Sequence, residues 1–203
     1  MSRLIAFGCS LTKGAGLPDI YDKKTNYHNP KIGGSKYAWP QIIANLGNFE
    51  CINFGYNASS NKLIANNILD FQFEYHDLCI IMWTFPLRHA ILDKNKWVFI
   101  HPTSNKWKEI SDNYYEHQHN SYDAILNTMH YIMLVKYHLD RMNIKTINLS
   151  IKEFNLIDKQ WFKAEMHNKY FLNYTGVCED GYHPSIEAHR KFGNDIWENI
   201  INS

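Results

Sequence analysis

The chain is poor in several things, and each shortage narrows the reading. It has four cysteines in 203 residues, Cys9, Cys51, Cys79 and Cys178, with no C-x-x-C and no closely spaced pair. That argues against a disulfide scaffold and points to free thiols in a reducing compartment. Charge is balanced, with a formal net of +1, so no polyanionic partner is implied. The lysine-rich stretch from Lys94 to Lys108 reads as a solvated hairpin rather than a nucleic-acid surface. No apolar run approaches the roughly 18 residues of a membrane helix. Only four apolar residues separate Arg3 from Gly8, too few for a signal peptide. The expectation is a cytoplasmic protein with neither signal peptide nor membrane segment. No internal repeat, low-complexity tract or linker appears, and the length suits one domain with a sizeable core.

What is present is an alternation of short apolar strands and amphipathic helices. Leu4–Phe7, Glu50–Phe54, Asp77–Trp83 and Lys145–Leu149 read as strands. "DLCIIMW" is the near-continuous apolar run of a strand buried on both faces of a parallel sheet. Helices are expected over Tyr37–Leu46, Ala58–Tyr75 (capped by Asn57 or Ser59), Tyr122–Met142, residues 152–169 and Pro184–Ile201. Residues 9–35 hold Gly14, Gly16, Pro18, Pro30, Gly33 and Gly34 and read as a long loop of the functional kind. Residues 86–120 break the alternation as an insertion, with a hairpin turning near Asp93–Lys96. The fold class is therefore α/β: one domain spanning 1–203, with a central parallel sheet covered on both faces.

In such a sheet, ligands bind beyond the carboxyl ends of the strands. Those ends are unusually polar here. The first carries Gly8-Cys9-Ser10, the second Gly55-Tyr56-Asn57-Ala58-Ser59, the third Thr84 and Arg88. "EDGYHPS" sets Asp180 and His183 three apart on a turn before the last helix. A serine hydroxyl needs a base to take its proton. An imidazole does so near neutral pH, and a carboxylate fixes its tautomer. Each residue also has a plainer reading: Ser10 as a turn cap, Asp180 as a cap of the last helix, His183 as a loop residue, Cys9 as the reactive atom instead of Ser10. Trp97, Trp107, Tyr114 and Tyr115 form either a sugar-stacking surface or a small core that packs the insertion. The histidines at 89, 101, 117 and 119 lack a marked third ligand, so neither a metal nor a cofactor is expected.

These blocks resemble those of the SGNH, or GDSL, hydrolases. "FGCSLTKG" (Phe7–Gly14) is similar to the first, F-G-D-S-L-T-x-G. "NFGYNASSN" (Asn53–Asn61) is similar to the glycine-centred second, and "DGYHPS" (Asp180–Ser185) to the terminal D-x-x-H. The resemblance implies a three-layer flavodoxin-like fold and a serine esterase with Ser10 as nucleophile, His183 as base and Asp180 as its orienter. The amides of Ser10 and Gly55 would bind the oxyanion. Two departures stand out. Cys9 replaces the usual aspartate. The third block, normally G-x-N-D, has no asparagine in "MWTFPLR", so Asn57, Thr84 or Arg88 must substitute. Arg88 alternatively selects an anionic substrate. The implied partner is a small-molecule or carbohydrate ester, such as an O-acetyl sugar, with no nucleic acid and no membrane. A catalytically impaired binding module and an acyltransferase using the same triad are the alternatives.

Overall fold

A computed structural model describes residues 2–25, 27–28, 33–94, 96–102, 107–153 and 159–203. In chain order its strands are β1 (Arg3–Gly8), β2 (Tyr21–Asp22), β3 (Tyr27–His28), β4 (Glu50–Gly55), β5 (Leu78–Trp83), β6 (His89–Asp93), β7 (Lys96–Ile100) and β8 (Lys145–Ser150). Its α-helices are α1 (Ser10–Lys13), α2 (Trp39–Gly47), α3 (Asn61–Leu69), α4 (Lys108–His117), α5 (Ser121–Arg141) and α6 (Ile186–Ile196). Four strands form one sheet in the order β4-β1-β5-β8, every pair parallel. From β1 the chain steps to one side for β4 and then to the other for β5. This is the doubly wound, flavodoxin-like order, whose switch point lies between β1 and β5.

Side-chain alternation builds the three layers. From β1, Leu4 and Ala6 face a core shared with Trp39 and Ile43 of α2 and Phe192 and Ile196 of α6. Ile5 and Phe7 face a second core with Ile64 and Ile68 of α3 and Ile132, Val135 and Leu139 of α5. β5 is buried along its whole length, as its unbroken apolar run requires. Cys79 within it is fully buried, and desolvation pushes its thiol pKa well up. β6 and β7 form the expected hairpin.

The structure corrects several boundaries. Residues 159–169 contain no helix. There the backbone closes isolated turns, such as the Phe162 amide on Lys159 O at 2.9 Å, and also bonds outward: the His167 amide donates to Asn148 O of β8 at 3.0 Å, and Tyr170 just beyond bridges Ser150. Residues 154–158 of that expected helix lie outside the described residues. α3 starts later than expected and is capped by Ser60, whose hydroxyl accepts the Leu63 amide at 3.3 Å. The polar stretch after the hairpin holds a helix, α4, that its composition did not announce. None of the helices among the described residues is long and apolar enough to cross a membrane.

Candidate active site

Ser10 opens α1, one turn of helix directly after β1. Gly8 makes that turn possible, because a Cβ there would lie 2.0 Å from Thr12 Oγ1. Cys9 is fully buried in the α2/α6-side core. It therefore behaves as a small hydrophobe, which removes it as the reactive atom. Ser10 is largely buried, with 8% of its surface exposed. The turn ends at Gly14, whose φ of 76° suits glycine.

The second block packs directly on this turn. A Cβ on Gly55 would lie 2.2 Å from the Lys13 nitrogen, so only glycine allows the approach. Asn53 staples the two blocks together: its Nδ2 donates to Thr12 O, and its Oδ1 accepts the Gly55 amide, both at 2.8 Å. The Gly55 N–H, expected to face an oxyanion, is thus occupied by a side chain. Asn57 stands exposed in the turn that follows.

Asp180 and His183 are joined as the spacing anticipates. Asp180 Oδ1 accepts the amides of Tyr182 and His183 at 3.0 Å each, and Oδ2 meets His183 Nδ1 at 2.6 Å. A carboxylate accepts only, so Nδ1 carries the proton and Nε2 is the basic nitrogen. Burial works against the Asp180 charge, but the two amides and the imidazole outweigh it and hold its pKa below the ordinary carboxylate value. The turn is braced by the Cys178 amide on His183 O and the Cys178 thiol on Pro184 O, each at 2.7 Å. α6 is capped by Ser185, not by Asp180, so the carboxylate is not a helix cap. It packs instead on the Ser10 loop: a Cβ on Gly16 would lie 2.5 Å from Asp180 Oδ2. Gly16 also has φ 85°, so two independent constraints demand glycine there. The D-x-x-H turn and the loop that begins at Ser10 are therefore in contact.

No family model matches the sequence, and no curated protein matches it. Solved structures do match the fold. A protein assigned to the lipolytic G-D-S-L family from Desulfitobacterium hafniense aligns at 13% identity and TM-score 0.52, over 96% of this chain and 97% of its own. A carbohydrate esterase family 2 enzyme with a carbohydrate-binding domain from Corynascus thermopiles aligns at 12% identity and TM-score 0.54, over 99% of this chain. Another carbohydrate esterase, whose active site combines divergent catalytic and non-catalytic binding functions, aligns at 14% identity and TM-score 0.53, also over 99%. The chain spans 66% and 65% of those two proteins. The fold is that of the SGNH hydrolases.

The stretch after β5, where the sequence resemblance expects a third block, departs from that pattern. Thr84 is fully buried. Its amide donates to Asn61 Oδ1 at 2.7 Å, its carbonyl accepts from Asn61 Nδ2 at 3.0 Å, and its hydroxyl accepts from Arg88 Nη1 at 3.0 Å. Its amide and carbonyl are thus committed to Asn61, and its hydroxyl receives the Arg88 guanidinium. Asn61, which its motif did not mark out, is a brace: it ties the end of β5 to α3 and, through Thr128, to α5. The aromatic cluster of the insertion divides. Tyr114 stacks on His89 at 4.8 Å, and Tyr115 bonds the carbonyls of Leu87 and Ile100. These two form a small core, and desolvation raises the Tyr115 pKa to about 12. Trp97 lies elsewhere, under the Lys62 ammonium. Two aromatics that sequence reasoning passed over stand beside the site residues: Tyr56, next to Gly55 and 54% exposed, and Tyr182, next to His183 and 88% exposed.

Proposed function

We propose that the protein is an SGNH-type serine esterase that removes an acyl group, such as acetyl, from a carbohydrate or similar small ester. Ser10 Oγ attacks the acyl carbonyl while His183 Nε2 accepts its proton. Asp180 holds the imidazole tautomer and stabilises the imidazolium. The tetrahedral intermediate expels the alcohol, which takes the proton back from His183. Water then repeats the sequence on the acyl-serine, and no cofactor takes part. The observation that carries this reading is the 2.6 Å Asp180–His183 pair, with its carboxylate packed on Gly16 of the Ser10 loop.

The oxyanion falls to the Ser10 amide and to Asn57, with the Gly55 amide added only when Asn53 Oδ1 lets it go. A missing donor of this kind typically slows turnover by about 10²–10³-fold, so a slow enzyme is expected. Exposed Tyr56 and Tyr182 supply the flat apolar faces on which sugar rings stack. The folds of two carbohydrate esterases point the same way.

A serine-directed fluorophosphonate probe tests the reading. Covalent labelling is expected in the wild type and in Cys9→Ala, and is expected to vanish in Ser10→Ala. Labelling that survives in Ser10→Ala, or is absent throughout, overturns it. A non-catalytic binding module would remain unlabelled yet bind sugar. An acyltransferase would label equally and reveal itself by passing acetyl to an added alcohol in preference to water.

A further inference from the structure

Phe85 follows Thr84 at the carboxyl end of β5 and carries two cations on its ring. The Arg88 guanidinium carbon lies 5.1 Å from the ring centroid and the Lys152 ammonium 5.3 Å. The two charges are thus no further apart than the sum of those distances, which is about one Debye length at 0.1 M salt. The ion pairs of the described residues include neither of them. Arg88 Nη1 donates to Thr84 Oγ1, which pins the guanidinium and leaves its other donors without protein acceptors among the described residues. His101 adds no negative charge: burial, with Arg88 nearby, lowers its pKa and keeps it neutral. Glu153 follows Lys152 in the chain but forms an ion pair with neither cation.

Position makes the pair informative. β5 is the immediate neighbour of β1, and β8 of β5. Arg88 and Lys152 therefore lie one and two strands from Ser10, on the rim where the switch point places ligands. Phe85 packs against the core that also holds Cys9 and Leu11, the two neighbours of Ser10. Two like charges gathered on one ring repel unless an anion joins them. A guanidinium fork and an ammonium held on the same ring together suit a planar carboxylate.

We infer that Arg88 and Lys152, gathered on Phe85, form a carboxylate-binding subsite that selects esters of acidic sugars. This deepens the esterase reading and rests on it. The test compares acetate release from acetylated glucuronic acid and acetylated glucose by the full chain. The wild type is expected to favour the acid by about tenfold in kcat/KM, and the preference should shrink as salt is raised. Lys152→Ala removes an exposed side chain and should cut the preference several-fold. Lys152→Ala with Arg88→Met should abolish it, with melting temperatures confirming folded protein. Equal turnover of both esters by the wild type, or a preference that survives the double substitution, overturns the subsite and leaves the esterase reading standing. A stronger preference for acetylated glucose 6-phosphate than for the glucuronate overturns the assignment to carboxylate. If no ester is turned over, calorimetric binding to Ser10→Ala decides: tighter binding of free glucuronate than of glucose upholds the subsite while the esterase reading falls, and equal binding overturns both.

Discussion

The two ends of the central sheet handle charge in opposite ways. At the amino end, Arg3 grips buried Asp77 with two bonds, Nε to Oδ1 at 2.9 Å and Nη2 to Oδ2 at 2.6 Å, and reaches Glu74 as well. Its donors are met by carboxylates fixed in the fold. At the carboxyl end, Arg88 and Lys152 share a ring and have no counter-ion among the described residues, and the Asp180 carboxylate is directed at an imidazole. The first end joins strands, and its electrostatics are satisfied within the chain. The second carries charge that no carboxylate among the described residues pairs with, which is what the proposed ligand subsite requires.

Substitutions at the two ends should therefore separate activity from stability. The largest effect expected is from Asp180→Asn: a fall in esterase kcat of about 10⁴-fold through the wrong histidine tautomer, with the melting temperature nearly unchanged. A comparable loss of stability instead would make the carboxyl end structural and erase the contrast. Asp77→Ala should do the reverse, costing about 3 kcal/mol by leaving Arg3 without its buried partner. Denaturant unfolding reads that loss, and kcat/KM per folded molecule should hold.

A third effect, spread over several pH units, sharpens the comparison from inside the core. His189 of α6 is fully buried and accepts the Trp39 amide on Nδ1 at 3.2 Å. Desolvation, helped by nearby His183, lowers its pKa to about 3. Unfolded, it binds a proton near the ordinary histidine value of about 6.5, so the unfolded state gains protons first as the pH drops. The stability His189 confers is complete above that value and is lost as pH falls toward 3, at up to about 1.4 kcal/mol per pH unit. His189→Asn keeps an acceptor for Trp39 but does not titrate, and should flatten stability against pH over this window. Smallest of all is Glu187→Gln, which breaks an exposed pair with Arg190 and should change stability by no more than about 0.5 kcal/mol.

Much of the frame was legible because its signals are local. The run "DLCIIMW" reads as a strand buried on both faces and is one, and the turn near Asp93–Lys96 does close a hairpin. The D-x-x-H spacing anticipated a carboxylate–imidazole pair, which the structure contains. What stayed hidden depends on partners distant in sequence. Residues 159–169 have a weak helical pattern, but the edge of β8 offers their backbone a better partner. The Gly55 amide looked available until Asn53, two residues back, folded onto it. Arg88 was legible as an unusual charge, whereas its pairing with Lys152 on one ring required β5 and β8 to be neighbours.

The contact between Gly16 and the Asp180 carboxylate also sets a timetable. It joins two segments that lie far apart in sequence, the earlier made well before the later. A nascent chain would bury much of β1, β4 and β5 long before position 180 leaves the ribosome. On the proposed esterase reading, chains shorter than this would carry Ser10 without Asp180 and stay chemically silent, so turnover itself would report that this contact has formed.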